Sequence, residues 1–306
     1  MPRQAHLIGS IGLENAETSM TKAAEILGPC CSRIPDGETG GRGYWIRWQQ
    51  STFDNCKDLQ EGMVQEALPG FKDSVRRPFY KIKEGVNPCD IQLGDLGYAK
   101  EAMNSHRIFS RLVTEDKISS NVRFQVSIPT PMALVCGFIM AEDQLNVEPA
   151  IESAMIKDVD QIQAEIPPDH LAIQWDVCYE VVGSDGGPKL PYDNSIPGTV
   201  ERLARLCGSI DDRVELIIHL CYGDPGHQHI VDPVDLGTSV EFANNICAAS
   251  PRMINAVHMP VLRNRTDEAY FNPLKNLDIP NDTKLILGLV HFTDGVEGGK
   301  ARIATA

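Results

Sequence analysis

The sequence predicts an α/β protein of the (β/α)8 TIM-type barrel class, and three observations carry that expectation. Short apolar runs alternate with longer helical patterns, many of those runs end in polar residues, and no glycine-rich dinucleotide loop opens the first helix. With 306 residues, 42% of them hydrophobic, the chain can bury one large core, so residues 1-306 read as a single barrel domain. Candidate strands run Ala5 to Gly9, Cys30 to Ile34, Val122 to Ile128, Leu171 to Val177, Val214 to Cys221, Met253 to Met259 and Lys284 to Val290. Helical patterns separate most of them: Ala16 to Leu27, Tyr98 to Leu112, Glu148 to Ala164, Gly198 to Cys207, Ser239 to Ala249, and a short one around Asp267 to Leu274. Gly9-Ser10-Ile11-Gly12 is too degenerate to count as a dinucleotide fingerprint.

The segment from about Phe53 to Asp95, with Pro69, Pro78 and Pro88, reads as an insertion after strand 2, expected as a hairpin or small cap. The strand count stops at seven, and Arg302 to Ala306 reads as the first turn of a new helix. A barrel lacking or substituting its eighth strand is therefore expected. Either the gene product is longer than this sequence, with an eighth strand carrying a further cysteine near the metal, or the open edge is covered by the insertion or by a second subunit, as in a homodimer.

A formal charge of -14 with no clustered Lys and Arg argues against a nucleic-acid partner. No apolar run approaches the roughly 18 residues of a spanning helix. Met1-Pro2-Arg3-Gln4 leads straight into a strand without a signal-peptide pattern, so a cytoplasmic location and a small-molecule substrate are expected. Nine cysteines at irregular spacing do not form a secreted disulfide framework; most should be reduced and buried, with Cys221 the exception.

The most informative stretch is Val214-Glu215-Leu216-Ile217-Ile218-His219-Leu220-Cys221-Tyr222-Gly223-Asp224. Side chains alternate along a strand, so His219 and Cys221 share a face at its C-terminal end. Imidazole and thiolate together suit zinc, while a buried structural pair is the plain alternative. Asp176 ends an apolar strand where barrels place chemistry, or else accepts bonds from loop amides. Asp36 and Glu38 sit in a glycine-rich loop and could simply cap a helix beginning near Tyr44. His227 and His229 lie in a Pro/Gly-rich loop and read as solvated. His291 follows a strand end and could be an acid/base or substrate contact. Trp175, and Tyr44, Trp45 and Trp48 at near-helical spacing, read as packing residues.

His219-Leu220-Cys221-Tyr222, the Gln174-Trp175-Asp176 strand end, Leu7-Ile8-Gly9-Ser10 and Pro35-Asp36-Gly37-Glu38-Thr39-Gly40 together resemble the C-terminal catalytic domain of cobalamin-independent methionine synthase, more closely its single-domain fungal and bacterial relatives. The resemblance implies a barrel that holds zinc through a His, a Cys, an acidic residue and a last Cys, the zinc activating a substrate thiol for methylation. His219 and Cys221 match the first two ligands. His258 stands where the acidic ligand is expected, and the last cysteine would fall on the eighth strand. The family's acidic pair on the fourth strand is reduced to Asp176 followed by Val177, so homocysteine itself is not the expected substrate.

The expected site is thus Asp176, His291 and Asp224 as catalytic groups; Ser10, Asp36, Glu38, Gln174 and Tyr222 on the substrate; and His219, Cys221 and His258 on Zn2+. A zinc-dependent methyltransferase is the leading function. The alternative is a lyase or hydrolase acting on a small carbonyl compound, with Asp176, His219 and His291 as acid/base groups.

Overall fold

The computed structural model describes residues 4–65, 77–225 and 228–306. The chain is an α/β protein built on a six-stranded parallel sheet. Its strands are β1 (Arg33–Pro35), β4 (Arg123–Pro129), β5 (Leu171–Val177), β6 (Glu215–Leu220), β7 (Ala256–Pro260) and β8 (Lys284–Gly288), in that order; a separate two-stranded sheet pairs β2 (Leu59–Gln65) with β3 (Arg77–Ile82). An eight-stranded barrel wall is not shown by the described residues. Contacts divide the chain into two compact units, one of residues 1–63, 79–175 and 209–216, the other of 64–78, 176–208 and 217–306.

In the first unit, α1 (Ala16–Leu27) begins where Asn15 accepts the Thr18 N–H at 2.9 Å, and it ends at Gly28, whose φ of 48° suits a residue without a Cβ. The expected first strand, Ala5 to Gly9, makes only isolated parallel bridges with the region around β1, Ala5 to Cys31 and Ser10 to Gly37. Side chains explain why no ladder forms there. Gln125 Nε2 donates to the carbonyls of Leu7 (2.8 Å) and Ile8 (3.1 Å), and Ser127 Oγ (2.9 Å) and Gln174 Nε2 (2.6 Å) also donate to Ile8. Acceptors that a neighbouring strand would use are already taken.

The helix expected to begin near Tyr44 does not form; short 3-10 turns at Gly40–Arg42 and Arg47–Gln49 precede α2 (Gln50–Asp54). Three glycines in Gly40-Gly41-Arg42-Gly43 disfavour helix here. Tyr44 is exposed and Trp45 sits at φ 53°, whereas Trp48 meets the Tyr98 ring edge-on at 4.9 Å. The expected hairpin is the β2–β3 pair, with residues 66–76, including Pro69, outside the described residues. It is tied down by Met140 N–H on the Tyr80 carbonyl (2.9 Å) and Ile82 N–H on Asp143 (2.9 Å).

Two further helices shape this unit. In α4 (Pro131–Phe138), Pro131 to Val135, Gly137 and Phe138 are buried, so the segment carries no amphipathic period to read. The start of α3 (Tyr98–Thr114) is capped from α5 (Gln144–Glu165): Asp158 accepts the Tyr98 N–H at 2.7 Å. Burial is the main cause that pushes the Asp158 carboxyl up to about 6, and neighbouring Asp95 adds to it.

In the second unit β6, β7 and β8 pair in parallel, with His219 opposite His258 and His258 opposite Ile286. Helices α6 (Tyr179–Ser184), α7 (Ser195–Gly208), α8 (Gly237–Ala249) and the short α9 (Glu268–Phe271) pack here, and α10 (Gly295–Thr305) follows β8. Arg302 on α10 is fully buried; its guanidinium forks onto Asp294 at 2.7 and 2.9 Å and its Nε donates to the Leu289 carbonyl at 2.8 Å. Among the described residues no helix is long and apolar enough to cross a membrane.

Candidate functional site

In the first unit the chain leaves β1 through Asp36, Gly37 and Glu38. Gly37 has φ 83°, and a Cβ there would meet Ser19 Oγ at 2.6 Å, so the turn requires glycine. Asp36 is buried. It accepts the Glu38 N–H at 2.9 Å and the Ser105 hydroxyl at 2.6 Å, and it pairs with Arg42. Ser10, on the surface, donates to Glu38. Three expected substrate residues, Ser10, Asp36 and Glu38, are therefore in one place. The pocket beside them, lined by Asp36, Glu38, Arg42, Gln125 and Ser127 among others, has a cavity volume of about 10 Å³, room for roughly one water. Gln174 does not line it; besides the Ile8 carbonyl, its side chain meets His6 Nε2 at 2.9 Å.

In the second unit the ends of β5, β6 and β7 assemble a different set of groups. The Cys221 N–H donates to the Val177 carbonyl at 3.0 Å. In a parallel ladder an N–H reaches the residue before its partner, so Cys221 stands opposite Cys178, and two residues back His219 stands opposite Asp176. Since His219 also pairs with His258, one layer across three strands reads Asp176, His219, His258, with Cys178 and Cys221 two residues further on. All three residues of that layer are buried.

Members of this cluster contact one another. His219 Nδ1 and His258 Nδ1 are 2.7 Å apart in a hydrogen bond, their rings 4.7 Å between centroids. Gly288 on β8 makes room for this, since a Cβ there would lie 3.1 Å from His258 Nε2. The half-buried Cys221 sulfur accepts the Gly223 N–H at 3.2 Å. A hydrogen bond from the Cys178 thiol holds the Cys221 thiol well below the ordinary range, with His219 adding to the effect. That same bond, together with burial, pushes the Cys178 thiol well above it, and the carboxylates of Glu180 and Asp176 act in the same direction.

Other expected residues lie around this cluster. Tyr222, buried, donates its hydroxyl to Asp185 at 2.8 Å, and burial pushes its phenol up. Asp224 is exposed in the loop that follows. His291 meets the Val261 carbonyl at 2.8 Å, and burial lowers its affinity for a proton. His229, expected to be solvated, is 15% exposed and its ring lies 5.9 Å from that of Tyr222; His227 lies outside the described residues. Trp175 is fully buried, as a packing residue should be.

Sequence reading did not single out Cys178, Glu180 or Asp185. Aligning the ends of the runs Leu171 to Val177 and Val214 to Cys221 would set Cys221 beside Val177, one residue off, so only the observed register brings Cys178 opposite Cys221. The imidazoles of His219 and His258 and the thiols of Cys221 and Cys178 are the donor types that zinc takes. As they stand these donors satisfy one another, and among the described residues no group of three or more His, Cys, Asp or Glu side chains is placed to hold a metal ion.

No protein-family model matches the chain, and no curated protein matches it. Among solved structures, it is similar to a Listeria monocytogenes protein assigned as a vitamin-B12-independent methionine synthase. The two share 15% identity with a TM-score of 0.53, over 94% of this chain and 74% of that one. At that identity the likeness shows a distant relationship of fold.

Proposed function

We propose that the chain is an enzyme of the methyltransferase kind that moves a methyl group onto the thiol of a small molecule other than homocysteine. The observation that carries this reading is the cluster at the ends of β5–β7, where His219, His258 and Cys221 gather on a fold similar to that of a methionine synthase-like protein. The donor types are those zinc takes, and His219, Cys221 and His258 are the residues that would hold it, in place of the bond the two imidazoles now make to each other. Bound there, zinc would keep a substrate thiol ionised at neutral pH.

This chain's own groups would do the rest. Asp176, in the same layer as both imidazoles, would orient the substrate from the neighbouring strand. His291, with its proton affinity lowered by burial, would be neutral near pH 7 and able to take a proton. Metal analysis of the purified protein, with methyl transfer followed over a panel of thiols, tests the reading. About one zinc per chain and methylated thiol product are expected; a chain that binds no zinc and methylates none of them overturns it.

A second reading is favoured by one observation, that the two histidines are bonded to each other in one layer with Asp176. Such a set suits proton transfer in a lyase or hydrolase acting on a small carbonyl compound. Turnover in metal-free protein that is lost in Asp176→Asn selects it; turnover that needs added zinc rejects it.

A further inference from the structure

We propose that Cys178 and Cys221 form a peroxide-sensitive thiol pair, a modification site in which Cys221 is oxidised first and Cys178 closes a reversible disulfide with it.

The argument begins with register. The bond from Cys221 N–H to the Val177 carbonyl at 3.0 Å sets Cys178 and Cys221, the residues just past the ends of β5 and β6, opposite each other. Neighbouring strands lie about 4.8 Å apart, inside the Cα separation of roughly 4.4–6.8 Å that a disulfide spans. Each cysteine lies two residues beyond a member of the Asp176–His219 layer, on the chain ends that leave the same edge of the sheet.

The environments of the two thiols differ in the way a two-step oxidation needs. Cys221 is the less buried of the two, and its sulfur accepts the Gly223 N–H at 3.2 Å, which holds it in place. Cys178 is 3% exposed and faces its neighbour, not solvent. All nine cysteines are free thiols.

The chemistry balances with a hydroperoxide as oxidant. The Cys221 sulfur attacks one peroxide oxygen, the O–O bond breaks, and the sulfur becomes a sulfenic acid as water or an alcohol leaves. The Cys178 sulfur then attacks the Cys221 sulfur. Hydroxide departs with the Cys178 proton as water, and the S–S bond forms. Two thiols have lost two electrons between them, and one peroxide has gained them. If Cys221 serves methyl transfer as proposed above, the disulfide form is inactive and a thiol reductant restores it.

The test uses the whole chain, purified with reductant, freed of it and assayed for zinc before use. After brief exposure to hydrogen peroxide it is unfolded in an alkylating agent and digested without reductant. Mass spectrometry should find the peptides bearing Cys178 and Cys221 joined, two hydrogen masses lighter than their sum, and separated again by dithiothreitol. In Cys178→Ser the sulfenic acid on Cys221 should persist and be trapped by dimedone. If that variant does not fold, the wild-type digest decides alone. Cys221 over-oxidised without a cross-link, a cross-link to a different cysteine, or no oxidation of the pair each overturns the proposal. The zinc assay and the thiol-methylation assay judge the functional reading separately, so either idea can fail without the other.

Discussion

Where the chain leaves β1, Asp36 answers a backbone N–H, a serine hydroxyl and an arginine, and nearby Gln125, Ser127 and Gln174 answer the carbonyls of Leu7 and Ile8. Where the chain leaves β6, the groups in contact are two imidazoles and two thiols. Both are polar clusters at the ends of parallel strands. The first meets the hydrogen-bonding needs of the chain itself, which would cost free energy if left unmet. The second joins groups that change protonation or oxidation state. Position at a strand end therefore marks a polar residue for attention, and its partners tell whether it serves the fold or the chemistry.

Substitutions can break this contrast. Asp36→Ala leaves Arg42, Ser105 and the Glu38 N–H without their acceptor, and should lower the unfolding free energy by about 3 kcal/mol in urea titrations. A loss near zero would move Asp36 out of the structural class. Gln174→Ala gives up one of the donors holding the Ile8 carbonyl and opens a small cavity, for a loss of about 2 kcal/mol. Earlier exchange of the amides around residues 5–10 than in wild type is the accompanying signature.

Asp158 sharpens the comparison through pH. Its carboxyl is pushed up to about 6 in the fold, against an ordinary value of about 3.9 in an unfolded chain. Between those values the native state holds more protons than the unfolded state, so stability falls as pH rises and the contribution is gone above the folded value. Asp158→Asn keeps an acceptor for the Tyr98 N–H and should flatten that slope, with a gain on the order of 1 kcal/mol at pH 7. Urea titrations at pH 4.5 and 7 check it, and a steeper slope in the variant would refute the assignment. Cys221→Ser should have the smallest effect on folding, less than about 1 kcal/mol, while zinc affinity and methyl transfer fall together. A variant that keeps both would place Cys221 with the structural residues.

Much of the frame was legible in the sequence because local signals wrote it. The helical pattern Ala16 to Leu27 is α1, and the apolar run Leu171–Val177 is β5, each to the residue. The unread parts depend on partners distant in sequence. Ala5 to Gly9 has a strand's composition, but glutamines more than a hundred residues away take its carbonyls. Pro131 to Phe138 is buried almost throughout, so no period distinguishes a helix from a strand. The pairing of His219 with His258 and of Cys221 with Cys178 follows from strand register, and no spacing along the chain encodes it.

The 2.7 Å contact between the two Nδ1 atoms also constrains what lies outside it. Only one hydrogen fits between two nitrogens, so with both rings neutral one ring carries its proton at Nδ1 and the other at Nε2. The first then offers a lone pair at its outer nitrogen and the second offers an N–H. Shifting the shared hydrogen by less than an ångström exchanges those roles, so a proton accepted at one outer edge can be matched by one released at the other. The two rings are therefore locked into complementary tautomers, and Gly288, where a Cβ would lie 3.1 Å from His258 Nε2, is what gives that outer edge its room.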